Sequence, residues 1–225
     1  MSAPLYRAAG PVTLVGGGPV DRGQLAAALA LAPEAVAADG GGDVSLPDGR
    51  DFAAVIGDMD SLAGADALAA RGVALHPVAD QDTTDLEKCL TLVAAPIFIG
   101  LGFLGGRLDH HLAAMNAIVA HPAPPAILIG GEDICFLCPT ELDLTLDAGS
   151  RVSLFPMRPV RGRVSEGLRW SVEGLAMAPD GRIGASNVAT GDPVRLGFDR
   201  QGVLVILPAA ELAQAFDRLR PGRPG

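Results

Sequence analysis

The chain has 225 residues, 49% of them hydrophobic, with 17 basic against 26 acidic side chains and a net charge of -9. That is enough apolar material to bury a sizeable core, so wholesale disorder is excluded, and the acidic balance argues against nucleic acid or an anionic membrane as the main partner. No apolar run reaches the roughly 18 residues of a spanning helix and the first residues lack the apolar stretch of a secretion signal, so the expected location is cytoplasmic.

From residue 12 to about 131, short apolar runs alternate with helix-like stretches. The predicted strands are 12–15, 35–38, 53–56, 73–77, 96–101 and 126–129, with helices at 24–31, 64–70 and 85–94 and another opening near Asp109. Within 85–94, Leu86, Cys89, Leu90 and Val93 fall at i, i+3, i+4 and i+7 and predict one buried stripe. In the next helix Leu112, Met115 and Val119 are expected to face inward. Strands this apolar suit a parallel sheet covered on both faces.

After Glu132 the pattern changes to short strands broken by Gly and Pro, at 134–137, 142–146, 152–155, 167–172, 183–187, 194–198 and 203–207. A terminal helix is expected at 209–219, with 220–225 frayed. The fold class that follows is an α/β N-terminal domain (1–131) with a mostly parallel sheet and crossover helices, then an all-β sandwich C-terminal domain (132–225) with a final helix. Cys135 and Cys138 share a C-x-x-C spacing, but a zinc site needs about four ligands and no second pair exists, so with Cys89 they read as small apolar core residues.

The polar residues of the first half cluster at the carboxyl ends of the predicted strands, the edge where an open α/β sheet binds ligands. Asp58 and Asp60 flank one residue after the third strand, and paired carboxylates on a turn suit Mg²⁺, although turn chemistry alone explains many such pairs. Asp80-Gln81-Asp82-Thr83-Thr84-Asp85 opens a helix; an N-cap at Thr84 or Asp85 explains one or two of these residues but not three carboxylates. Lys88, the only lysine, either reaches a phosphate or pairs with Asp85. Gly105-Gly106-Arg107-Leu108-Asp109-His110-His111 offers close backbone approach, a guanidinium fork for phosphate and a carboxylate at a helix start. His110 and His111 point about 100° apart on a helix, so both are not expected to serve one site. Gly16-Gly17-Gly18 and Asp39-Gly40-Gly41-Gly42-Asp43 add two glycine turns on the same edge, and neither carries a Walker or dinucleotide signature.

In order, Ala38-Asp39-Gly40-Gly41, Gly57-Asp58-Met59-Asp60-Ser61, Asp82-x-Thr84-Asp85, Gly105-Gly106-Arg107-x-Asp109-His110 with Asn116 downstream, and Ser186-Asn187 resemble the thiamine diphosphokinase family over residues 12–207. The resemblance implies ATP-dependent pyrophosphoryl transfer to the thiamine hydroxyl in a homodimer that binds thiamine between subunits. It implies that Asp58, Asp60 and Asp85 hold Mg²⁺ and act with Asp109 in catalysis, and that Asp39, Gly40, Gly41, Asp82, Thr84, Lys88, Gly106 and Arg107 serve ATP and its phosphates. It assigns Trp170, Ser186 and Asn187 to thiamine, with a core-anchor role equally open to Trp170. Two departures stand out: Gln81 replaces a lysine common in bacterial members, and Asp43 replaces an amide, adding a negative charge near the expected nucleotide. A pyrophosphokinase acting on a pterin alcohol and a non-catalytic nucleotide sensor are the alternatives, while a nucleotide-sugar transferase leaves Asp82, Asp85 and Asp109 unexplained.

Overall fold

A computed structural model describes residues 3–222. The chain divides into two compact units with the boundary between Gly131 and Glu132. The first contains β1 (Tyr6–Arg7), β2 (Val12–Val15), α1 (Arg22–Leu31), β3 (Glu34–Ala38), β4 (Ala54–Gly57), α2 (Ala65–Ala70), β5 (Ala74–Pro77), α3 (Asp85–Leu92), β6 (Val93–Ala94), β7 (Phe98–Leu101), α4 (Leu108–Ala120) and β8 (Ala126–Gly130). Its main sheet runs β8-β7-β2-β3-β4-β5, every neighbouring pair parallel. The chain lays strands outward from β2 to β5, then returns to place β7 on the other side of β2. That reversal opens a crevice beyond the carboxyl ends of β2 and β7.

The strands of the middle are apolar because both faces are covered: β2, β3, β4 and β7 bury nearly every residue, and Phe98, Leu14, Ile56 and Ile99 are fully enclosed. β5 differs from expectation. It is the edge strand and none of its residues is buried, so its outer face was misjudged from its hydrophobicity. α3 starts on a capping box, Thr84 accepting from the Glu87 N–H while Glu87 accepts from Thr84, and stops at Leu92 instead of Ala94 because Val93–Ala94 pairs with β1. α4 buries Ala114, Ala117, Ile118 and Val119 and leaves Leu112 58% exposed, contrary to the expected inward face. The helix is apolar nearly all round, so spacing alone did not fix which stripe meets the sheet. Gly41 packs behind the site: a Cβ there would stand 2.0 Å from the Val15 carbonyl oxygen.

The second unit contains β9 (Asp133–Leu137), β10 (Glu141–Leu144), β11 (Arg151–Pro156), β12 (Val160–Glu166), β13 (Ala176–Met177), β14 (Gly184–Val188), β15 (Val194–Phe198), β16 (Val203–Pro208) and α5 (Leu212–Leu219). Its strands pair antiparallel in two sets, β14-β11-β16-β9 and β10-β15-β12-β13. The strand expected at 167–172 does not form, and only Leu168 bridges to Ala189. β12 takes its place in the sheet; the run Arg161-Gly162-Arg163 hid it by breaking the hydrophobic alternation. A single 3₁₀ turn, Ala209–Glu211, precedes α5, so the terminal helix starts at Leu212. Its amphipathic face, Leu212, Ala215, Phe216 and Leu219, is buried, and α5 packs on β10. Of the segment expected to fray, residues 223–225 lie outside the described residues. Cys89, Cys135 and Cys138 are buried free thiols, and burial pushes the Cys135 thiol up to about 12.

Two measurements test this framework. Tyr6 donates its phenol to Glu34, and burial with that neighbour raises its pKa from 10.0 to about 12. A raised folded-state value contributes stability below pH 10 that is lost as pH climbs through about 12. Tyr6 is the only tyrosine. Phenolate absorbance should therefore titrate near 12 in the native protein, and a native midpoint near 10 would overturn the contact. Gly41→Ala is expected to destabilise the chain by about 1–3 kcal/mol in urea unfolding, because the added methyl meets main chain rather than a movable side chain.

Candidate functional site

A cavity of about 800 Å³ lies at the carboxyl ends of the first unit's strands. It is lined by Gly16 to Gly18 after β2, Asp39 and Gly40 after β3, Asp58, Asp60 and Ser61 after β4, Gln81 to Lys88 in part around the start of α3, and Gly102, Phe103, Gly106 and Arg107 after β7. The turns that the sequence placed on one edge are brought together. The β2 and β7 turns meet through main chain: the Gly18 N–H donates to the Gly102 carbonyl at 2.9 Å, and a Cβ on Gly102, whose φ is +75°, would lie 2.3 Å from the Gly16 carbonyl oxygen.

The centre of the crevice is acidic. Asp39, Asp58 and Asp60 each offer a carboxylate oxygen, and these oxygens lie within 4.8 Å of one another. Two residues in the left-handed region build the group: Asp39 (φ 45°) turns back from β3, and Met59 (φ 67°) separates Asp58 from Asp60. Such conformations cost about 1–3 kcal/mol each and concentrate at functional sites. Gly57 is required here, since a Cβ on it would stand 2.6 Å from that of Asp39. Asp39 is 3% exposed; its Oδ2 accepts from the Ser61 N–H at 3.2 Å, while its Oδ1 is buried without a hydrogen-bond partner. An unpaired buried carboxylate oxygen facing two more carboxylates fits a hard divalent cation, which takes oxygen ligands.

Around this group the charge is partly balanced. Gln81 Nε2 donates to Asp58 Oδ2 at 2.9 Å and Lys88 Nζ stands 3.8 Å from the same oxygen. Gln81 first, then the Asp60 N–H and Lys88, hold the Asp58 carboxyl below its ordinary range. Lys88 is 3% exposed and also contacts Asp85 Oδ1 at 3.3 Å, so the pairing reading of this lysine is the one present. Asp85 also lines the crevice, and burial raises its pKa although Lys88 pulls it down. The clustered set is therefore Asp39, Asp58 and Asp60, with Asp85 beside the lysine.

The remaining expectations divide. Thr84, Gly40, Gly106 and Arg107 line the crevice, and Thr84 also serves as N-cap. Arg107 is paired with Asp109 through Nε at 3.1 Å and a second nitrogen at 2.5 Å; Arg107 holds the Asp109 carboxyl below its usual range, and Asp109 itself stands outside the lining. Asp82 and Gly41 are also outside it, Asp82 donating its N–H to Asp80 at 3.0 Å. Asp43 stands outside the lining, and its carboxylate accepts from the N–H groups of Ala63 at 2.9 Å and Gly64 at 2.8 Å, fixing the approach to α2. His110 and His111 both line the crevice, which wraps the first turn of α4, and His111 Nε2 is buried without a partner. Phe103 lines the crevice without having been expected there, and Asp39, expected at the nucleotide, also belongs to the carboxylate group. The signal for the latter was an aspartate before three glycines, a residue that tolerates the left-handed region at a strand end.

In the second unit Asn187 bonds to Trp170, and Ser186 precedes Asn187 on β14. Trp170 is 54% exposed, which rules out a core-anchor role, and the Arg169 guanidinium lies 4.9 Å from its ring centroid. Asn187 is 3% exposed and bonded to the Trp170 main chain. Ser186 has φ 56° and donates its N–H to Ser153 Oγ at 3.0 Å.

Known proteins match both units. The family model "Thiamin pyrophosphokinase, catalytic domain" matches residues 26–128, and "Thiamin pyrophosphokinase, vitamin B1 binding domain" matches residues 139–203. Among curated relatives, thiamine pyrophosphokinase 1 of Oryza sativa subsp. japonica is 29% identical over 136 residues, covering 53% of this chain and 51% of the relative. Thiamine pyrophosphokinase 2 of Arabidopsis thaliana is 26% identical over 135 residues, with the same coverage of 53% and 51%. The chain thus spans about half the length of the curated relatives it matches. Among solved structures, the Candida albicans thiamin pyrophosphokinase superposes with a TM-score of 0.75 at 15% identity, over 92% of this chain and 95% of that one. The Bacillus subtilis thiamine pyrophosphokinase gives 0.68 at 19% identity, over 88% and 98%. At such identities the structures establish the two-domain fold, while the two matched domains, in order and covering most of the sequence, establish that the chain belongs to the thiamin pyrophosphokinase family.

Proposed function

We propose that this chain transfers a pyrophosphoryl unit from ATP to the hydroxyl of thiamine, giving thiamine diphosphate and AMP. The observation that carries the reading is the Asp39, Asp58 and Asp60 group with its unpaired buried oxygen, set in a crevice lined by glycine main chain and Arg107. Relatives named as thiamine pyrophosphokinases and the match to a vitamin B1 binding domain favour thiamine over a pterin alcohol, and favour an enzyme over a sensor.

Asp39, Asp58 and Asp60 would hold Mg²⁺, which when bound neutralises the phosphate oxygens and makes the β-phosphorus a better electrophile. Arg107 and the glycine turns steady the charge of the phosphate chain, the guanidinium acting as a planar fork. The thiamine hydroxyl oxygen bonds to the β-phosphorus as the bond from that phosphorus to the bridging oxygen of the α-phosphate breaks, and AMP leaves with that oxygen. The hydroxyl proton passes to Asp85, which lines the crevice and whose pKa burial raises, whereas that of Asp58 is held down. Asp109 supports this arrangement by orienting Arg107.

The working form in this reading is a cytoplasmic homodimer with thiamine bound between subunits at Trp170 and Ser186. Among the described residues no helix is long and apolar enough to cross a membrane.

Incubation with ATP, Mg²⁺ and thiamine should release AMP; ADP as the nucleotide product would refute transfer of a two-phosphate unit. Chelation of divalent cations should abolish turnover and readdition of Mg²⁺ should restore it. Asp39→Asn and Asp58→Asn are each expected to lower kcat by roughly 10²–10³ while leaving the fold intact by circular dichroism. Unchanged turnover in Asp39→Asn would remove that residue from the cation set.

A further inference from the structure

Trp170, Asn187 and Arg169 form an arrangement that packing within one chain does not account for. A tryptophan side chain ordinarily buries most of its area, yet this indole is 54% exposed. Asn187, 3% exposed, grips the main chain of that residue from both sides: its Oδ1 accepts from the Trp170 N–H at 3.1 Å and its Nδ2 donates to the Trp170 carbonyl at 2.6 Å. Oδ1 also accepts from the Val188 N–H at 2.9 Å. With both acceptor positions and one of two donors on main chain, the amide has little left for a ligand. On the indole itself, the Arg169 guanidinium covers one face at 4.9 Å, within cation–π range.

We infer that Asn187 and Arg169 are positioning residues that hold Trp170 as a stacking platform with one usable face, for a flat ring of the alcohol substrate. The identity of the ring rests on the thiamine reading above; the rigidity of the platform does not. Asn187 fixes the main chain from which the indole projects, and Arg169 blocks the second face and limits ring rotation. A ring held in place before binding spares the substrate the ordering cost of an exposed side chain, which appears as affinity rather than as turnover. Asn187 therefore acts through Trp170 and not by touching substrate.

Trp170 is the only tryptophan, so fluorescence reads this residue alone. In Asn187→Ala, time-resolved anisotropy should gain a fast local component. Thiamine KM should rise roughly three- to tenfold with kcat within about twofold and ATP KM unchanged. In Arg169→Gln, an exposed position expected to fold normally, acrylamide should quench Trp170 more strongly and thiamine KM should again rise. Wild-type anisotropy and wild-type thiamine KM in Asn187→Ala would overturn the inference, as would parallel losses in kcat and ATP KM, which indicate general damage. Should Asn187→Ala fail to fold, unchanged quenching and unchanged thiamine KM in Arg169→Gln overturn it alone. If the wild-type protein does not turn over thiamine, the functional reading fails, while anisotropy and quenching still decide the platform.

Discussion

Carboxylates packed as closely as those of Asp39, Asp58 and Asp60 repel, and much of the first unit is arranged to keep them together. Left-handed main chain at Asp39 and Met59 supplies the directions, Gly57 supplies the room, and the Ser61 N–H and the Gln81 amide donate hydrogen bonds to the carboxylates at the edges. Lys88 enters from α3 as a built-in counter-cation shared by Asp58 and Asp85. Its contacts run to Asp58 and Asp85, and the buried Asp39 Oδ1 is left without a hydrogen-bond partner. Buried charge left in this state is costly, and that cost is what a bound cation would relieve.

The sheet order makes this arrangement possible. Because β7 returns beside β2, the turns after both strands face one opening, and only glycine allows their main chains to approach as they do at Gly16 and Gly102. The same economy of side chains leaves glycine main chain at the lining of the crevice. In the proposed reading Arg107 and this main chain would meet phosphate, and the carboxylates would be left for the cation.

The parallel strands of the first half were legible because fully covered strands are continuously apolar, as in Val12–Val15 and Phe98–Leu101. The phase of α4 was not, because Leu108, Leu112, Ile118 and Val119 spread round the helix and only tertiary packing selects the buried side. β12 was invisible for the opposite reason, its arginines and glycine masking a strand that pairs on both sides. In the site, residue types and strand ends pointed to Asp58 and Asp60, but spacing along the chain cannot report that Asp39, nearly twenty residues earlier, folds in beside them while Lys88 pairs with Asp85. Asp43 and Gly41 have structural roles that spacing along the chain does not report: the carboxylate of Asp43 holds the loop before α2, and the missing Cβ of Gly41 lets two main chains approach.

Lys88 carries one more consequence. Every other member of the 17 Lys and Arg side chains is an arginine, so the chain presents a single side-chain primary amine, and that amine is 3% exposed within the crevice. Acylating or aldehyde reagents that label ordinary proteins over their whole surface would find one side-chain target here. Its protection by an occupant of the crevice would register occupancy directly, without any turnover being followed.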